Sequence, residues 1–426
     1  MINPAPPADD TVVVIRGRGR VSALGLELGP DYPVSPFTAH PTGVSVAALP
    51  AEAEAALTEL RHAHPAYRQL DRTVLLALLA ARLAVARVKL PVVSGQLPVR
   101  SVAGLAERPD YWALVTNNRQ PTTNNQLAIS IGSSRGATGR LEEFHAGFLR
   151  EGRVPAAASP LTTLGNVASW VAFDAGQQGA AALSHSSTCS SAFQALGNAV
   201  AWLRAGMADR FLAGGTEAPL TDFTLAQMRA IGIYSPYAAA DWPCRPGAGR
   251  PSTFVLGEGA AVFALERGSR AALRAAGEPA FLLEGVGFGF EAIGSKTGLS
   301  PEGSHFQQAM REALRQARAA PETIDAVVLH SPGTPAGDAA ERAALRAVFG
   351  EHQPLLLSNK WLLGHTLGAS AALSLDFALH VLATQHWPTP PFATDVNGPA
   401  THPLRRILVN AAGFGGNAAS VVIGLE

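Results

Sequence analysis

Cys189, His330 and His365 are the residues whose types and surroundings best suit them to chemistry. Cys189 is one of only two cysteines among 426 residues and lies in the hydroxyl-rich stretch SHSSTCSSAF. A nucleophilic cysteine needs a base or proton acceptor, and the two histidines each end a strand-like run in glycine-rich surroundings, where side chains can face a cleft. Taken alone, Cys189 fits a small buried thiol better than a nucleophile, because free cysteines are usually buried.

The residues after Cys189 have the spacing of one helix face. Six apolar positions recur at helical intervals: Ala192, Phe193, Leu196, Ala199, Val200 and Leu203. Serine and threonine precede them, as is typical of a helix N-terminus. The pattern predicts a helix over 190–203 with Cys189 at its positive end, where unpaired backbone N–H groups would favour a thiolate.

Strand-like and helical segments alternate along the chain, and they must bring the cysteine and the histidines together. Runs rich in Val, Ile and Leu predict buried strands that begin at Thr11, Leu127, Arg210, Ala326, Gln353 and Arg406. Helical spacing also predicts helices over 141–150, 304–319 and 339–348. Two consecutive strands, from Thr253 and Phe281, carry no predicted helix between them. This alternation predicts an α/β protein with a buried sheet, divided into two halves near residue 270.

Composition narrows the classes of function. Lysine plus arginine equals aspartate plus glutamate at 33 each, so the bulk charge gives no reason to expect nucleic acid or an anionic membrane. Two cysteines in a chain of this size indicate free thiols in a reducing compartment, and the N-terminus lacks the pattern of a signal peptide.

The apolar stretch from Thr73 is interrupted by Arg82 and Arg87, which predicts a buried helix and no membrane span. No HExxH or paired CxxC motif predicts a metal site. We therefore expect a cytoplasmic protein.

Four motifs, in order, resemble those of the β-ketoacyl synthases, the condensing enzymes of fatty acid and polyketide assembly. They are STCSSAFQALGNAVAWLRAGMADRFLAGGTEA, HSPGTPAGDAAERAALRAVFG, SNKWLLGHTLGASAA and NAAGFGGNAASVVI. Weaker similarity extends over nearly the whole chain. The resemblance implies a thiolase-like fold with two pseudo-duplicated halves in α-β-α-β-α layers. Residues 1–270 would carry the nucleophilic cysteine, and residues 271–426 would carry the catalytic histidines.

The resemblance also implies roles for individual residues. Cys189 would carry the acyl group, and His330 and His365 would stabilise the enolate formed from malonyl. Lys360 would be the family's lysine, partnered by Glu341, and the pair would tune the charge around the histidines. In the GFGG loop, Phe414 would be a gate flanked by Gly413 and Gly415, and its backbone N–H would form the oxyanion hole with that of Cys189.

Several positions depart from the family pattern. Thr334 matches the residue that hydrogen-bonds the pantetheine arm, but Ser331 and Pro332 stand where glycine and threonine are usual, so Ser331 would replace part of one lost contact. The family's aspartate-rich loop is replaced by GAGRPST. Arg135 occupies a place that is usually small or aliphatic near the acyl pocket and the dimer interface. It would form an interface ion pair, or else the pocket would take a short, polar or conjugated chain.

The resemblance further implies an acidic acyl carrier protein as partner, docking on local basic residues: Arg68, Arg72 and Arg229. It implies a homodimer or a heterodimer with a homologous subunit, and no metal or organic cofactor, because the substrates are carried on the phosphopantetheine arm. The expected activity is decarboxylative condensation in fatty acid synthesis or, given the departures, in polyketide or aryl polyene synthesis. Two alternatives stay open at this point: a chain-length-determining or scaffolding subunit, and a cysteine acyltransferase that does not decarboxylate.

Overall fold

One large mixed sheet runs through the protein, and a two-stranded hairpin lies beside it. The computed structural model describes residues 10–86, 127–164, 166–177, 181–277, 279–292, 294 and 299–426. In chain order the strands are β1 (Thr11–Ser22), β2 (Thr38–Ala39), β3 (Ser45–Val46), β4 (Leu127–Gly132), β5 (Ala182–His185), β6 (Arg210–Glu217), β7 (Gly259–Ser269), β8 (Phe281–Phe290), β9 (Ala326–Val328), β10 (Leu355–Leu357), β11 (Arg406–Gly413) and β12 (Asn417–Leu425).

The large sheet repeats one strand order. From its centre outward, the first half reads β1, β7, β6, β4, β5 and the second reads β8, β12, β11, β9, β10. In each half the last three strands pair in parallel and the others pair antiparallel. β1 and β8 join the halves through the pairs Val14–Leu282 and Ile15–Phe281. This duplication confirms the predicted α/β architecture of two similar halves, while the domain boundary at residue 270 stays a prediction.

Helices cover both faces of each half. They are α1 (Ala51–Ala63), α2 (Arg72–Ala86), α3 (Thr138–Glu151), α4 (Ala158–Thr162), α5 (Asn166–Asp174), α6 (Ser191–Ala205), α7 (Asp222–Ala230), α8 (Arg270–Ala276), α9 (Ser304–Ala317), α10 (Pro335–Phe349), α11 (Lys360–Leu363) and α12 (Ser370–Thr384). α6 and α12 contact each other and strands of both halves, so they form the central layer. α2 and α5 cover the outer face of the first half, and α9 covers that of the second.

The core divides in the same way as these layers. The largest apolar cluster surrounds α6 and α12, a second lies under α1, α2 and α5, and a third lies under α9 and α10. Among the described residues, Leu367–Thr384 is apolar and long enough to span a membrane, but 83% of it is buried within the protein. It is therefore a core helix of the central layer. Of the two arginines that interrupt the other apolar stretch, Arg82 is buried in α2 and pairs with Asp174, and Arg87 lies outside the described residues.

Most predicted elements are confirmed, with three differences. The strand from Phe281 ends at Phe290 as expected, but the run from Thr253 becomes strand only at Gly259, because the residues before it pair singly with loops. The prediction of no helix between these strands is wrong: α8 lies there, and the Ser269 side chain accepts a capping hydrogen bond from Ala272 N. β5 is short and polar, which made it hard to predict, and it forms an edge of the sheet.

Candidate active site

Cys189 lies in a tight turn between β5 and α6. Thr188 before it has a φ of 49°, in the left-handed region that non-glycine residues rarely adopt. The N–H groups of Ser190 and Ser191 donate to the carbonyls of Ser187 and Thr188, and α6 begins only at Ser191. The cysteine therefore precedes the helix and is held by the turn.

Burial decides the protonation state of this thiol. Cys189 is 7% exposed, and its burial raises the pKa to about 12. The Glu217 carboxylate raises the pKa further, while Lys360 and Arg135 lower it. The expectation that the helix end makes a thiolate is thus wrong for the resting protein, because desolvation outweighs it.

An apolar cluster links Cys189 to the histidine segments. Its buried members are Val46, Cys189, Leu225, Met228, Phe254, Leu256 and Leu367. The Phe254 ring lies 5.3 Å from the His365 ring, measured between centroids. The rings of His365 and His330 are 5.2 Å apart and nearly perpendicular, at 86°. The fold thus gathers one cysteine and two histidines from three distant segments.

The hydrogen bonding of His365 defines its tautomer. The backbone N–H of Leu367 donates to Nδ1 of His365 at 3.1 Å, so Nδ1 carries no proton and Nε2 carries it. Burial lowers the pKa of His365 to about 3 and lowers the pKa of His330 well below its usual range, where the neighbouring His365 adds to the effect. Both rings are neutral at physiological pH, and His365 can donate a hydrogen bond from Nε2.

Glu341 organises the backbone that carries His330. The carboxylate is fully buried and accepts hydrogen bonds from His330 N at 2.9 Å, Ser331 N at 2.7 Å, Ser331 Oγ at 2.7 Å and Asn410 Nδ2 at 3.0 Å. Four donors on one buried carboxylate make a rigid support for the turn after β9.

Lys360 is not in direct contact with Glu341. Its ammonium group donates to Ser374 Oγ at 2.9 Å and to Asn359 Oδ1 at 3.4 Å. Burial lowers the pKa of Lys360 to about 8, and the charge of Glu341 opposes that shift through space. Glu341 therefore acts on Lys360 through space and not through a hydrogen bond. The physical reason is that the four donors already occupy both carboxylate oxygens.

Phe414 lies at the tip of a turn between β11 and β12, which we call the gate turn (residues 414–416). Phe414 is 40% exposed, so it is not a core aromatic. A Cβ on Gly413 would lie 1.9 Å from Thr188 Oγ1 and 2.8 Å from Cys189 N, so only glycine lets this strand end reach the nucleophile. Gly415 has a φ of 87° and open space around it. The structure thus places the gate turn directly beside Cys189.

Two hydroxyl groups were expected near the pantetheine arm: that of Thr334, which is available, and that of Ser331, which is already hydrogen-bonded within the protein. Thr334 is half-buried at the start of α10, where its side chain makes no capping hydrogen bond. Ser331 is fully buried: it donates to Glu341 and accepts from Arg342 Nη1 at 2.6 Å. The prediction that Ser331 replaces part of the missing contact is wrong, because its hydroxyl is used inside the protein.

Asp338 compensates for the missing aspartate-rich loop. Its buried carboxylate accepts hydrogen bonds from Gly247 N at 2.8 Å and Gly333 N at 3.2 Å. It therefore ties the GAGRPST segment to the turn that carries Thr334. Burial raises the pKa of Asp338 to about 7. Sequence reasoning missed this residue, although an acid directly before the helix predicted over 339–348 could have signalled it.

Arg135 is hydrogen-bonded to α7. Its Nη1 donates to Gln227 Oε1 at 2.7 Å and, more weakly, to Thr224 Oγ1 at 3.4 Å. α7 also supplies Leu225 and Met228 to the cluster around Cys189. In the described part of the chain Arg135 has neutral partners and forms no ion pair, so within this subunit the pocket interpretation is the one that its contacts favour.

Glu217, at the end of β6, is a second residue that sequence reasoning missed. It accepts hydrogen bonds from Ser133 Oγ, Ser134 N, Arg135 N and Gly368 N at 2.6–3.1 Å. It thereby joins the Arg135 loop to the segment after His365. Burial raises its pKa to about 7. The signal was available, since a carboxylate at the end of a buried strand needs several donors.

The predicted docking arginines differ in their surroundings. Arg72 is half-buried between Glu54 and Glu258, and its Nε lies 2.6 Å from Glu258 Oε2. Its charge is therefore balanced inside the protein, which makes it unsuitable for docking. Arg68 and Arg229 are exposed, and their docking role stays a prediction.

The described residues include no group of three or more His, Cys, Asp or Glu side chains that could hold a metal ion. Instead, the site combines a buried thiol, two neutral imidazoles and backbone N–H groups. That set suits acyl transfer and the stabilisation of an oxyanion or enolate.

Comparison with known proteins gives the family. The family model "Beta-ketoacyl synthase, N-terminal domain" matches residues 64–271, and "Beta-ketoacyl synthase, C-terminal domain" matches residues 281–392. The chain is 35% identical to nodulation protein E of Rhizobium leguminosarum bv. trifolii over 49% of each chain. It is 32% identical to putative polyketide beta-ketoacyl synthase 1 of Streptomyces cyaneus over 326 residues, which is 70% of this chain and 75% of the relative.

Solved structures agree on the fold. The ishigamide ketosynthase/chain length factor has a TM-score of 0.78 at 22% identity and is covered over 97% of this chain and 99% of that one. A type II polyketide ketosynthase in complex with its acyl-carrier protein has a TM-score of 0.75 at 20% identity, over 98% and 100%. At these identities the likeness concerns the fold alone. The family models and the Streptomyces relative nevertheless cover most of the chain, and we conclude that it belongs to the β-ketoacyl synthase family.

Proposed function

We propose that this chain is a β-ketoacyl-carrier-protein synthase that condenses malonyl units with an acyl group held on Cys189. The observation that carries the proposal is the convergence of Cys189 with two neutral histidine rings 5.2 Å apart in one buried site. A chain-length subunit needs no nucleophile, so Cys189 favours the enzyme.

The first half-reaction transfers the acyl group to the cysteine. Cys189 Sγ attacks the thioester carbonyl, the bond to the pantetheine sulfur breaks, and the thiol proton is passed to that sulfur as it leaves. The negative oxygen accepts hydrogen bonds from the N–H groups of Cys189 and Phe414. The proximity of Gly413 to Cys189 N supports this pairing of backbone donors.

The second half-reaction breaks a C–C bond. Carbon dioxide leaves the malonyl thioester, and the bonding electrons form an enolate whose oxygen accepts a hydrogen bond from His365 Nε2–H and a second from His330. The enolate carbon attacks the acyl carbonyl, the C–S bond breaks, and the Cys189 sulfur leaves as a thiolate that takes up one proton from solvent to return to the resting thiol. No metal or organic cofactor takes part in this scheme.

The partner in this scheme is an acyl carrier protein, whose pantetheine arm reaches the Thr334 hydroxyl. A solved ketosynthase of this fold is named in complex with its carrier protein. Exposed Arg68 and Arg229 would meet the acidic partner. We place the reaction in polyketide or aryl polyene synthesis in the cytoplasm; the name of the Streptomyces relative supports the polyketide assignment.

A second, homologous subunit is also proposed. Among the described residues β5 is the last strand at one end of the sheet, with half-buried residues, and α3 exposes Leu141, Phe148 and Leu149 at 55%, 48% and 71%. Edge strands and apolar patches of this kind are typically covered by a partner. The partner is either a second copy or a chain length factor, as named for one structural neighbour.

Incubation with acyl- and malonyl-carrier proteins tests the function. We expect a Cys189-dependent acyl adduct by intact mass, followed by release of carbon dioxide when malonyl carrier protein is added. Cys189→Ala is the control, and it should lose the adduct. An adduct without carbon dioxide would support a non-decarboxylating acyltransferase, and no adduct from any donor would support the scaffolding subunit.

Arg135 predicts which acyl groups are accepted. A guanidinium beside the acyl site disfavours long saturated chains, because desolvating it against methylene groups is costly. Arg135→Ile should raise the turnover of long saturated acyl donors about tenfold relative to short or polar donors. The exposed Arg150→Ile is the matched control. Equal use of long saturated chains by the unmodified protein would contradict the prediction.

A further inference from the structure

His305 is a buried histidine that the catalytic scheme does not use. Its side chain is fully buried at the start of α9, and Nδ1 lies 3.1 Å from Glu291 Oε2. The other nitrogen, Nε2, is buried and has no hydrogen-bond partner among the described residues. Burying Nε2 without a partner costs free energy that an apolar side chain at this position would not cost. What the histidine offers in return is the hydrogen bond between Nδ1 and Glu291.

Glu291 connects His305 to the gate turn. It follows the last residue of β8, and its carboxylate also accepts a hydrogen bond from Ser300 Oγ at 2.9 Å. Its backbone N–H donates to Gly416 O at 2.9 Å. A Cβ on Gly416 would lie 1.9 Å from Glu291 O, so the two backbones are in direct contact. A movement of Glu291 would be passed to the base of the gate turn.

The gate turn is therefore held at two points. On one side Gly413 packs against Thr188 and Cys189, and on the other Gly416 packs against Glu291. Between them Gly415 has open space, and Phe414 is 40% exposed. The tip of the turn therefore has room around it, whereas its two ends are in close contact with neighbouring backbone.

The surroundings of His305 favour its neutral form. Burial lowers its pKa, and the charges of Glu291 and Glu341 oppose that shift. His330 lies on the other side of Phe306, whose ring is 4.6 Å from His305 and 6.2 Å from His330. A neutral ring with its proton on Nδ1 donates to the Glu291 carboxylate.

We propose that His305 and Glu291 are positioning residues of the gate turn: the hydrogen bond from His305 Nδ1 to Glu291 Oε2 fixes Gly416, so that Phe414 closes over Cys189 in one geometry. The pair touches no reacting atom and acts through the backbone. Its importance for condensation rests on the proposed function, but its control of access to Cys189 does not.

Alkylation of Cys189 by iodoacetamide tests access without any substrate. His305→Phe should increase the alkylation rate constant about fivefold to tenfold, since the turn loses one buried hydrogen bond. Mass spectrometry of the modified peptide separates Cys189 from the buried Cys244. His305→Asn should behave like the unmodified protein, because the asparagine Nδ2 occupies the place of histidine Nδ1. His352→Phe, at a half-buried histidine bonded to Ile324 O, is the matched control.

The same variants separate gating from folding and from the overall function. In a condensing enzyme, His305→Phe should also lower kcat with little change in KM for the carrier protein, and His305→Asn should restore kcat. Alkylation of His305→Phe at the unmodified rate would overturn the proposal. So would equal acceleration in the Phe and Asn variants, which would indicate general loosening. Faster alkylation of His305→Phe alone, in a protein that releases no carbon dioxide, would support the gate pair and reject the proposed function.

Discussion

Replacing His365 with leucine is expected to lower the rate of decarboxylative condensation by about 10²- to 10⁴-fold while Cys189 still accepts an acyl group. The reason is the position of its proton. The backbone N–H of Leu367 donates to Nδ1 of His365, so the Nε2–H of His365 is the donor that remains for the enolate oxygen. Carbon dioxide release measures the first effect, and the intact mass of the acylated protein measures the second.

Two further variants show whether the loss of rate comes from the hydrogen-bond donor of His365. His365→Gln retains a donor near the position of Nε2 and should recover part of the rate, whereas the exposed His402→Ala should have no effect. Equal loss of acylation and decarboxylation in His365→Leu would instead indicate a role in the first half-reaction or a collapse of the site.

The pH dependence follows from the same burial. Because the pKa of His365 is lowered to about 3, the ring stays neutral as the pH falls past its ordinary value of 6.5 and becomes protonated only near pH 3. Unfolded chain, in contrast, binds that proton near 6.5, so this histidine destabilises the fold progressively between 6.5 and 3. Protonation of His365 should therefore not reduce the rate of decarboxylation near pH 6.5. A rate that falls below pH 6.5 in the unmodified protein, but not in His365→Gln, would contradict this prediction.

Replacing Glu341 with leucine is expected to destabilise the protein by about 3–5 kcal/mol, with a fall of roughly 5 °C or more in the unfolding temperature. Leucine would leave four buried donors unpaired, two of which belong to Ser331 and one to the backbone of His330. The ammonium of Lys360 would also lose a nearby negative charge in the buried site.

Thermal unfolding by circular dichroism measures this effect. Glu341→Gln keeps the shape and one acceptor oxygen, so it should fall between leucine and the unmodified protein. The exposed Glu351→Gln provides the matched control. If Glu341→Leu unfolded at the same temperature as the control, the carboxylate network would not support the histidine turn as described.

The site could be predicted from the sequence to the extent that its chemistry is local. Strand ends and glycine-rich turns identified His330 and His365, and helical spacing located the helix after Cys189. Motif order then indicated the family. The two strand orders could not be read from these runs, because the pairing of β1 with β8 joins residues far apart in the chain.

Charges were predicted least well, because a partner or a dry environment can come from any part of the fold. Arg72 is balanced by Glu258, 186 positions away, and so is lost to docking. The Ser331 hydroxyl is bonded within the protein and so does not make its expected contact, and the ammonium of Lys360 is bonded to Ser374. The thiol of Cys189 has a raised pKa despite the helix behind it. His305 had no pattern to mark it.

The sequence by itself therefore determined which residues carry the chemistry, since nucleophile and imidazole identities and their local turns are written in short stretches. Only the tertiary structure decided their protonation, their partners and the anchoring of the gate turn. Burial and long-range hydrogen bonds set those properties, and both depend on which distant segments the sheet brings together.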